Sequence, residues 1–197
     1  MNTTEATLTI KDTTANPAPM GLLGFGMTTV LLNLHNAGLY ELNSMIIGMG
    51  IFVGGIAQII AGIQEWKKNN TFGATAFTAY GSFWITLVTI WLLPKTSIGA
   101  GLKPDEVSMG WFLLMWCIFT AFMFIGTLRL NRALQVVFGS LAILFLLLSI
   151  SDFTGISTIK VIAGIEGIFC GLSAIYTSAS LILNEVYGKS ILPLGKV

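Results

Sequence analysis

The residues with chemistry to offer lie inside apolar stretches. Thr28, Thr29, Asn33 and His35 follow one another through a leucine-rich segment, and Gln58 stands alone in a glycine-rich one. Glu166, Cys170, Ser173, Thr177, Ser180 and Asn184 recur at spacings of four and three, which places them on one stripe of a helix. Hydroxyl and amide groups in that pattern either hydrogen-bond a passing solute or bond back to their own and neighbouring helices. Two groups could carry a proton. His35 is the only histidine, a side chain with an unperturbed pKa of about 6.5, and Glu166 is the acidic residue well within an apolar segment. Each also has an interfacial role open to it: His35 near the outer end of its segment, Glu166 one to two turns from a helix start. An enzyme is not expected. The chain has no His-Glu-x-x-His, no Gly-x-Ser-x-Gly and no phosphate-binding glycine loop, and with one histidine it expects neither metal nor cofactor.

The elements that must position these groups follow from composition. Of 197 residues, 54% are hydrophobic and 10% charged, against about 25% charged in a soluble domain, so the chain reads as an integral membrane protein. A net charge of +1 without a basic run excludes nucleic acid as a partner. Apolar stretches near 20–37, 45–64, 72–93, 109–128, 133–150 and 159–184 each approach the ~20 residues that cross a bilayer. The expected fold is all-α with six transmembrane helices over 16–187, a polar Thr-rich tail over 1–15 and a short C-terminus over 188–197. A β-barrel would need alternating segments about half as long. Cys117 and Cys170 both fall in apolar segments and pack as small apolar residues rather than as a disulfide. Lys11, Lys67, Lys68, Arg129, Arg132, Lys189 and Lys196 fall on one side and Lys95, Lys103 and Lys160 on the other, which puts both termini in the cytoplasm.

Helical periodicity assigns faces. Phe25, Thr29, Asn33 and Asn36 share one face of the first helix, as the wall of a path or a contact with a neighbouring helix. Gly50-x-x-x-Gly54 marks the second as a packing helix, in which Gln58 reaches either a partner helix or a solute. Thr75, Thr78, Ser82, Thr86 and Thr89 form a stripe on the third, expected to serve packing or a subunit contact, with Tyr80 pointing the other way. The fourth, rich in Trp111, Phe112, Trp116, Phe119, Phe122 and Phe124, is expected to face lipid or a neighbouring subunit. Leu141 and Phe145 on the fifth form a dry constriction if their face turns inward. The sixth is expected to pack through Gly167 and Gly171 and to be wetted along its polar stripe. At the start of the first helix, Asn16 fits an N-cap and Pro17 the first helical position. The open amides there also suit a small anion.

Several of these stretches resemble the acetate uptake transporter family. They are Asn16-Pro17-Ala18-Pro19-Met20-Gly21-Leu22, Gly24-Phe25-Gly26-Met27-Thr28-Thr29, Leu31-Leu32-Asn33-Leu34-His35-Asn36, Gly54-Gly55-Ile56-Ala57-Gln58, Thr75 through Trp84, and Asn184-Glu185. The likeness runs to Leu192-Pro193-Leu194-Gly195 and is nearest to bacterial succinate–acetate permeases. It implies a homohexamer of six-helix subunits in lipid, in the plasma (inner) membrane of a prokaryote. It also implies passage of acetate and related short carboxylates, succinate among them, coupled to or favoured by protons. The resemblance places the narrowest point at Phe25, Tyr80 and Leu141. Asn16, Pro17, Pro19, Thr28, Thr29, Asn33, Gln58, Ser173 and Thr177 are expected along the path or at its mouth, with His35 and Glu166 as proton-linked groups. Met20 stands where Leu is usual, and Glu166 where an apolar residue is usual, which weakens Glu166 as a shared group. Low intramembrane charge keeps a channel for small neutral solutes such as urea as the alternative.

Overall fold

A computed structural model describes residues 14–197; residues 1–13, which include most of the expected tail and Lys11, lie outside the described residues. Six long helices follow in order: α1 (Ala18–Asn36), α2 (Ser44–Lys67), α3 (Thr71–Leu92), α4 (Glu106–Thr127), α5 (Arg132–Thr154) and α6 (Ser157–Val186). Five of them, α2 to α6, are long and apolar enough to cross a membrane. α1 has 19 residues, also enough to span, and keeps its polar Thr28, Thr29 and Asn33 buried against neighbours. The chain is a multi-pass membrane protein. Short connections make successive helices antiparallel, so α1, α3 and α5 start at one end of the bundle, here the near end, and α2, α4 and α6 finish there.

Asx side chains set most of the helix starts, as their short oxygens accept from amides that have no helical partner. Asn43 accepts from Met45 N at 3.0 Å, Asn70 from Gly73 N at 3.1 Å and Asn131 from Leu134 N at 2.9 Å. Asp105 accepts from Ser108 N at 2.6 Å, and that bond holds its carboxyl below the usual range. α1 departs from expectation by one residue. Pro17 is its N-cap and accepts from Met20 and Gly21, while Asn16 Oδ1 accepts from Ala18 N at 3.0 Å. Pro19 then falls in the first turn, where its missing N–H breaks no bond.

Glycines let α1 lie unusually close to two neighbours. A Cβ on Gly26 would stand 2.7 Å from the Gly171 carbonyl oxygen of α6, and one on Gly171 would stand 2.7 Å from that of Gly26. Gly167 gives its space to the Asn33 side chain. On the α2 side, Gly24 faces the Val53 carbonyl and Gly54 faces Thr28 Oγ1. α2 is π-helical over Met49–Ala57, a feature that the sequence did not announce. Gly50, Gly54 and Gly55 weaken the ordinary helix there, and Thr28 Oγ1 reaches the Met49 carbonyl from α1 at 3.4 Å.

On α3 most of the hydroxyl stripe faces outward: Thr75, Ser82, Thr86 and Thr89 are exposed, and Ser82 and Thr89 donate to the Thr78 and Ile85 carbonyls, whereas Thr78 is half-buried with its hydroxyl against Gly62 of α2. α4 corrects the expectation that it faces only outward. Phe112, Trp116 and Phe119 share one face by their spacing and pack on Phe83, Tyr80 and Phe145, which leaves Trp111 and Phe122 exposed. Residues 188–197 fold back as a strap. Asn184 Oδ1 accepts from Ile191 N and Leu192 N, and the Gly195 and Leu194 carbonyls accept from Arg132 N and Ala133 N at the start of α5.

The glycine contacts predict opposite outcomes at two sites. Gly171→Ala is expected to lower stability by about 1–3 kcal/mol, read as a lower melting temperature in detergent. Gly48→Ala, where an added Cβ meets nothing within 4 Å, is expected to be neutral or to stabilise by about 0.5–1 kcal/mol. Equal losses for the two variants would refute the close approach.

Candidate functional site

Phe25 sits between two glycines that are both committed. Successive helical residues point about 100° apart, so with Gly24 against α2 and Gly26 against α6 the Phe25 ring is directed at the remaining neighbours. There it meets Tyr80 of α3, ring centroids 5.8 Å apart, and Leu141 of α5. Phe25, Tyr80, Leu141, Gln58, Val137 and Phe138 border a cavity of about 20 Å³. That is room for one water and less than the four heavy atoms of an acetate require, so a larger solute passes only if a side chain moves.

Tyr80 is the fixed member of the group. Its hydroxyl lies 2.9 Å from Thr120 Oγ1, and Thr120 Oγ1 also contacts the Trp116 carbonyl at 2.7 Å. A carbonyl only accepts, so the single Thr120 proton goes to Trp116 and Tyr80 donates to Thr120. The ring is further held by Phe119, Trp116 and Phe138 at centroid distances of 5.3 to 6.0 Å. Gln58 brings one polar group to the same waist; it is 1% exposed, and its Oε1 has no hydrogen-bond partner.

Wider spaces lie toward the two ends of the bundle, and the near one adjoins the small cavity. At the near end, a cavity of about 400 Å³ shares Leu22, Ala76, Phe77 and Phe138 with the constriction and is bordered by the polar Asn16, Glu65, Asn70, Arg129, Asn131 and Thr177. At the far end, a cavity of about 550 Å³ is bordered by Trp91, Lys95 and Lys103. Among the described residues no three His, Cys, Asp or Glu side chains stand close enough together to hold a metal ion.

Residues 1–193 match the model of the GPR1/FUN34/yaaH family. The chain belongs to this family. It is 55% identical over 182 residues to the succinate-acetate/proton symporter SatP of Escherichia coli strain K12, a match covering 92% of this chain and 96% of the relative. It is 34% identical to acetate permease A of Emericella nidulans, over 91% of this chain and 65% of that one. A solved structure of the bacterial acetate channel SatP superposes with a TM-score of 0.90 at 54% identity, covering 92% of this chain and 99% of the other.

In this GPR1/FUN34/yaaH protein the expected path residues separate into groups. Phe25, Tyr80, Leu141 and Gln58 meet at one cavity, and Asn16 and Thr177 border the near vestibule. The others are occupied elsewhere. Pro17 caps α1, and the buried Pro19 accepts from Ser178 Oγ at 2.7 Å. Thr28 donates to the Gly24 carbonyl, and Asn33 donates to the Thr29 carbonyl and accepts from Asn36; the buried Thr29 Oγ1 has no partner. Ser173 borders an outward groove with Phe169 and Tyr176. The α6 stripe is not wetted along its length as expected, since Ser173, Thr177 and Ser180 donate to the Cys170, Ser173 and Tyr176 carbonyls of their own helix. His35 Nδ1 lies 2.8 Å from the Tyr40 carbonyl, so that nitrogen carries the proton. Glu166 is half-buried with its Oε2 unpartnered, and no hydrogen bond joins it to His35.

Three residues at the site escaped the sequence reading. Thr120 is a lone hydroxyl four residues after Trp116, a spacing that placed it on the inward aromatic face once that face was known. Glu65 was counted with the connection after the second helix, but the helix continues to Lys67 and buries Glu65 to 2% exposure. Arg129 was used only for orientation, whereas it borders the near vestibule.

The direction of the Tyr80–Thr120 bond predicts an asymmetry. Thr120→Val leaves a buried Tyr80 hydroxyl without an acceptor and is expected to cost about 1–3 kcal/mol, whereas Tyr80→Phe removes the donor and is expected to cost about 1 kcal/mol or less. Thermal melts of both single variants and the double variant would test this, and a double loss equal to the sum of the singles would refute the bond.

Proposed function

We propose that the chain is a permease or channel for acetate and related short carboxylates, succinate among them, with an apolar constriction in each subunit. The observation that carries this reading is the small apolar Phe25–Tyr80–Leu141 cavity beside the polar near vestibule, in a chain so similar to a succinate-acetate/proton symporter and to an acetate channel. Transport rather than catalysis is the activity. Lys95 and Lys103 at the far mouth and Arg129 at the near mouth supply positive charge that draws anions to both ends. A bare carboxylate is costly to strip of water, so the crossing is coupled to a proton or favours the neutral acid.

The unit of function is a homohexamer in lipid. The outward hydroxyl stripe of α3 supports this, since a polar strip on a membrane-facing surface suits a helix of a neighbouring subunit better than lipid tails. Lys67, Lys68, Arg129, Arg132, Lys189 and Lys196 gather toward the near end, so that end and both termini face the cytoplasm of a prokaryotic inner membrane. Residues 16–187 form the transmembrane domain, 1–15 a cytoplasmic tail and 188–197 a cytoplasmic C-terminus.

Uptake of labelled acetate and labelled urea into vesicles containing the purified protein, with and without an inward proton gradient, tests the reading. Acetate entry above that of protein-free vesicles, increased by the gradient, is expected; gradient-independent urea entry without acetate entry would replace the proposal with a neutral-solute channel. Phe25→Ala removes the movable ring from the waist. It is expected to raise acetate flux several-fold or admit larger carboxylates while lowering stability by about 3 kcal/mol. Wild-type flux in a folded variant would exclude Phe25 from the gate.

A further inference from the structure

Glu65 is held in a site built around its carboxyl group. Its Oε2 accepts from Asn70 Nδ2 at 2.7 Å, and Asn70 in turn caps α3 through Gly73 N. Gly73 leaves the space open, since a Cβ there would stand 2.9 Å from the Glu65 carboxyl carbon. Asn69, at φ 58, makes the left-handed turn that returns Asn70 N to the Glu65 carbonyl at 3.0 Å. The residue is 2% exposed and borders the near vestibule, yet its Oε1 is buried without a hydrogen-bond partner. A buried carboxylate oxygen without a donor is costly.

The charged surroundings are few. Among the described residues, Arg129 from the α4–α5 connection is the other charged side chain bordering the cavity; α1 contributes Asn16, Ala18 and Leu22 to it, α3 Phe72, Gly73, Ala76 and Phe77, α5 Leu134 and Phe138, and α6 Thr177 and Leu181. Lys68, in the turn after Glu65, donates to the Thr14 carbonyl at 2.7 Å, and its positive charge also acts on the Glu65 carboxyl. Arg129 favours entry of an anionic carboxylate, whereas an ionised Glu65 would repel it. Two carboxyl groups within hydrogen-bond reach cannot both be ionised at little cost, but a pair that shares one proton attracts.

We propose that Glu65 is the group that exchanges a proton with the substrate in the near vestibule. Protonated Glu65 donates its O–H to an incoming carboxylate; the proton moves to the substrate, leaving Glu65 ionised and the substrate as the neutral acid. Charge and protons balance, and Glu65 is reprotonated from water on the near side. The neutral acid then crosses the Phe25–Tyr80–Leu141 waist at a lower desolvation cost than the anion. In the reverse direction, ionised Glu65 takes the proton of an arriving acid and releases the anion toward Arg129. This inference rests on the carboxylate reading of the previous subsection.

The test uses the full chain in vesicles that present the near vestibule to the bath, with a pH-sensitive dye inside, labelled acetate outside and protein-free vesicles subtracted. In wild type, uptake is expected to rise as external pH falls, with about one proton entering per acetate. Glu65→Gln keeps the shape and the Asn70 contact but cannot exchange a proton. It is expected to lose gradient-driven uptake by about tenfold or more, to slow exchange of labelled for unlabelled acetate at equal pH by a similar factor, and to flatten the pH profile. Glu65→Asp, which keeps the acid and shortens its reach, is expected to retain a pH-dependent profile with its midpoint displaced. Gel filtration and melting temperature verify folding, and if the Gln variant does not fold, the Asp profile decides. A Gln variant with the wild-type pH profile and proton-to-acetate ratio, or an Asp variant with an undisplaced midpoint, overturns the assignment of Glu65. Wild-type vesicles that take up no more acetate than protein-free ones overturn the carboxylate reading itself, and the proposal with it.

Discussion

The backbone contact between α1 and α6 at Gly26 and Gly171 constrains the rest of the bundle. Each glycine faces the other's carbonyl oxygen, with the Val30 and Ile175 side chains packed against the same two glycines. In a membrane, where apolar surface gains nothing by leaving lipid tails, this close van der Waals packing is a principal source of helix association. Gly24 repeats the device on the α2 side, against Val53. Fixing α1 on two sides leaves one direction for Phe25, and the aromatic waist follows from it. The π-helical stretch of α2 belongs to the same geometry, because it is the segment that receives Gly24 and Thr28.

Hydrogen bonding then separates structural polar groups from those left over at the path. Thr28, Ser82, Thr89, Ser173, Thr177 and Ser180 all donate to carbonyls in the preceding turn of their own helix, which lets a polar residue sit in hydrocarbon at modest cost. Tyr80 is tied to Thr120 across two helices and wedged among rings. Gln58 Oε1 and Glu65 Oε1 remain unpartnered at the waist and in the near vestibule. An unpaired acceptor inside a membrane protein is where a solute or a proton has something to bind.

Much of the fold was legible because long apolar segments have few alternatives in a bilayer. The six helices lie where hydropathy put them, with starts displaced by one residue where Asn43 or Asn131 sets the cap and an end displaced by four where Gly155 does. The α3 stripe and Tyr80 were correctly placed on opposite faces by period alone. Periodicity failed where two faces of one helix were both apolar: α4 carries aromatics all round, and composition could not tell that Phe112, Trp116 and Phe119 turn inward while Trp111 and Phe122 turn out. It failed again at Glu65, where a charged residue near a helix end looks the same in sequence whether it reaches water or is folded under its own connection.

The sequence by itself determined the membrane class, the number of helices, the faces of α3 and the start of α1 to within a residue, because those depend on local properties: apolar length, side-chain period and capping chemistry. Its motifs also carried the family resemblance. Only the tertiary structure decided that Phe25, Tyr80, Leu141 and Gln58 enclose one small cavity, that Thr120 anchors the tyrosine, and that Glu65 and Arg129 border the same vestibule. Those residues come from different elements, and the place of Phe25 among them is set by how closely α1 approaches its two neighbours. That distance is fixed by glycines on facing helices more than 100 residues apart in the case of Gly26 and Gly171, a pairing that no local pattern records.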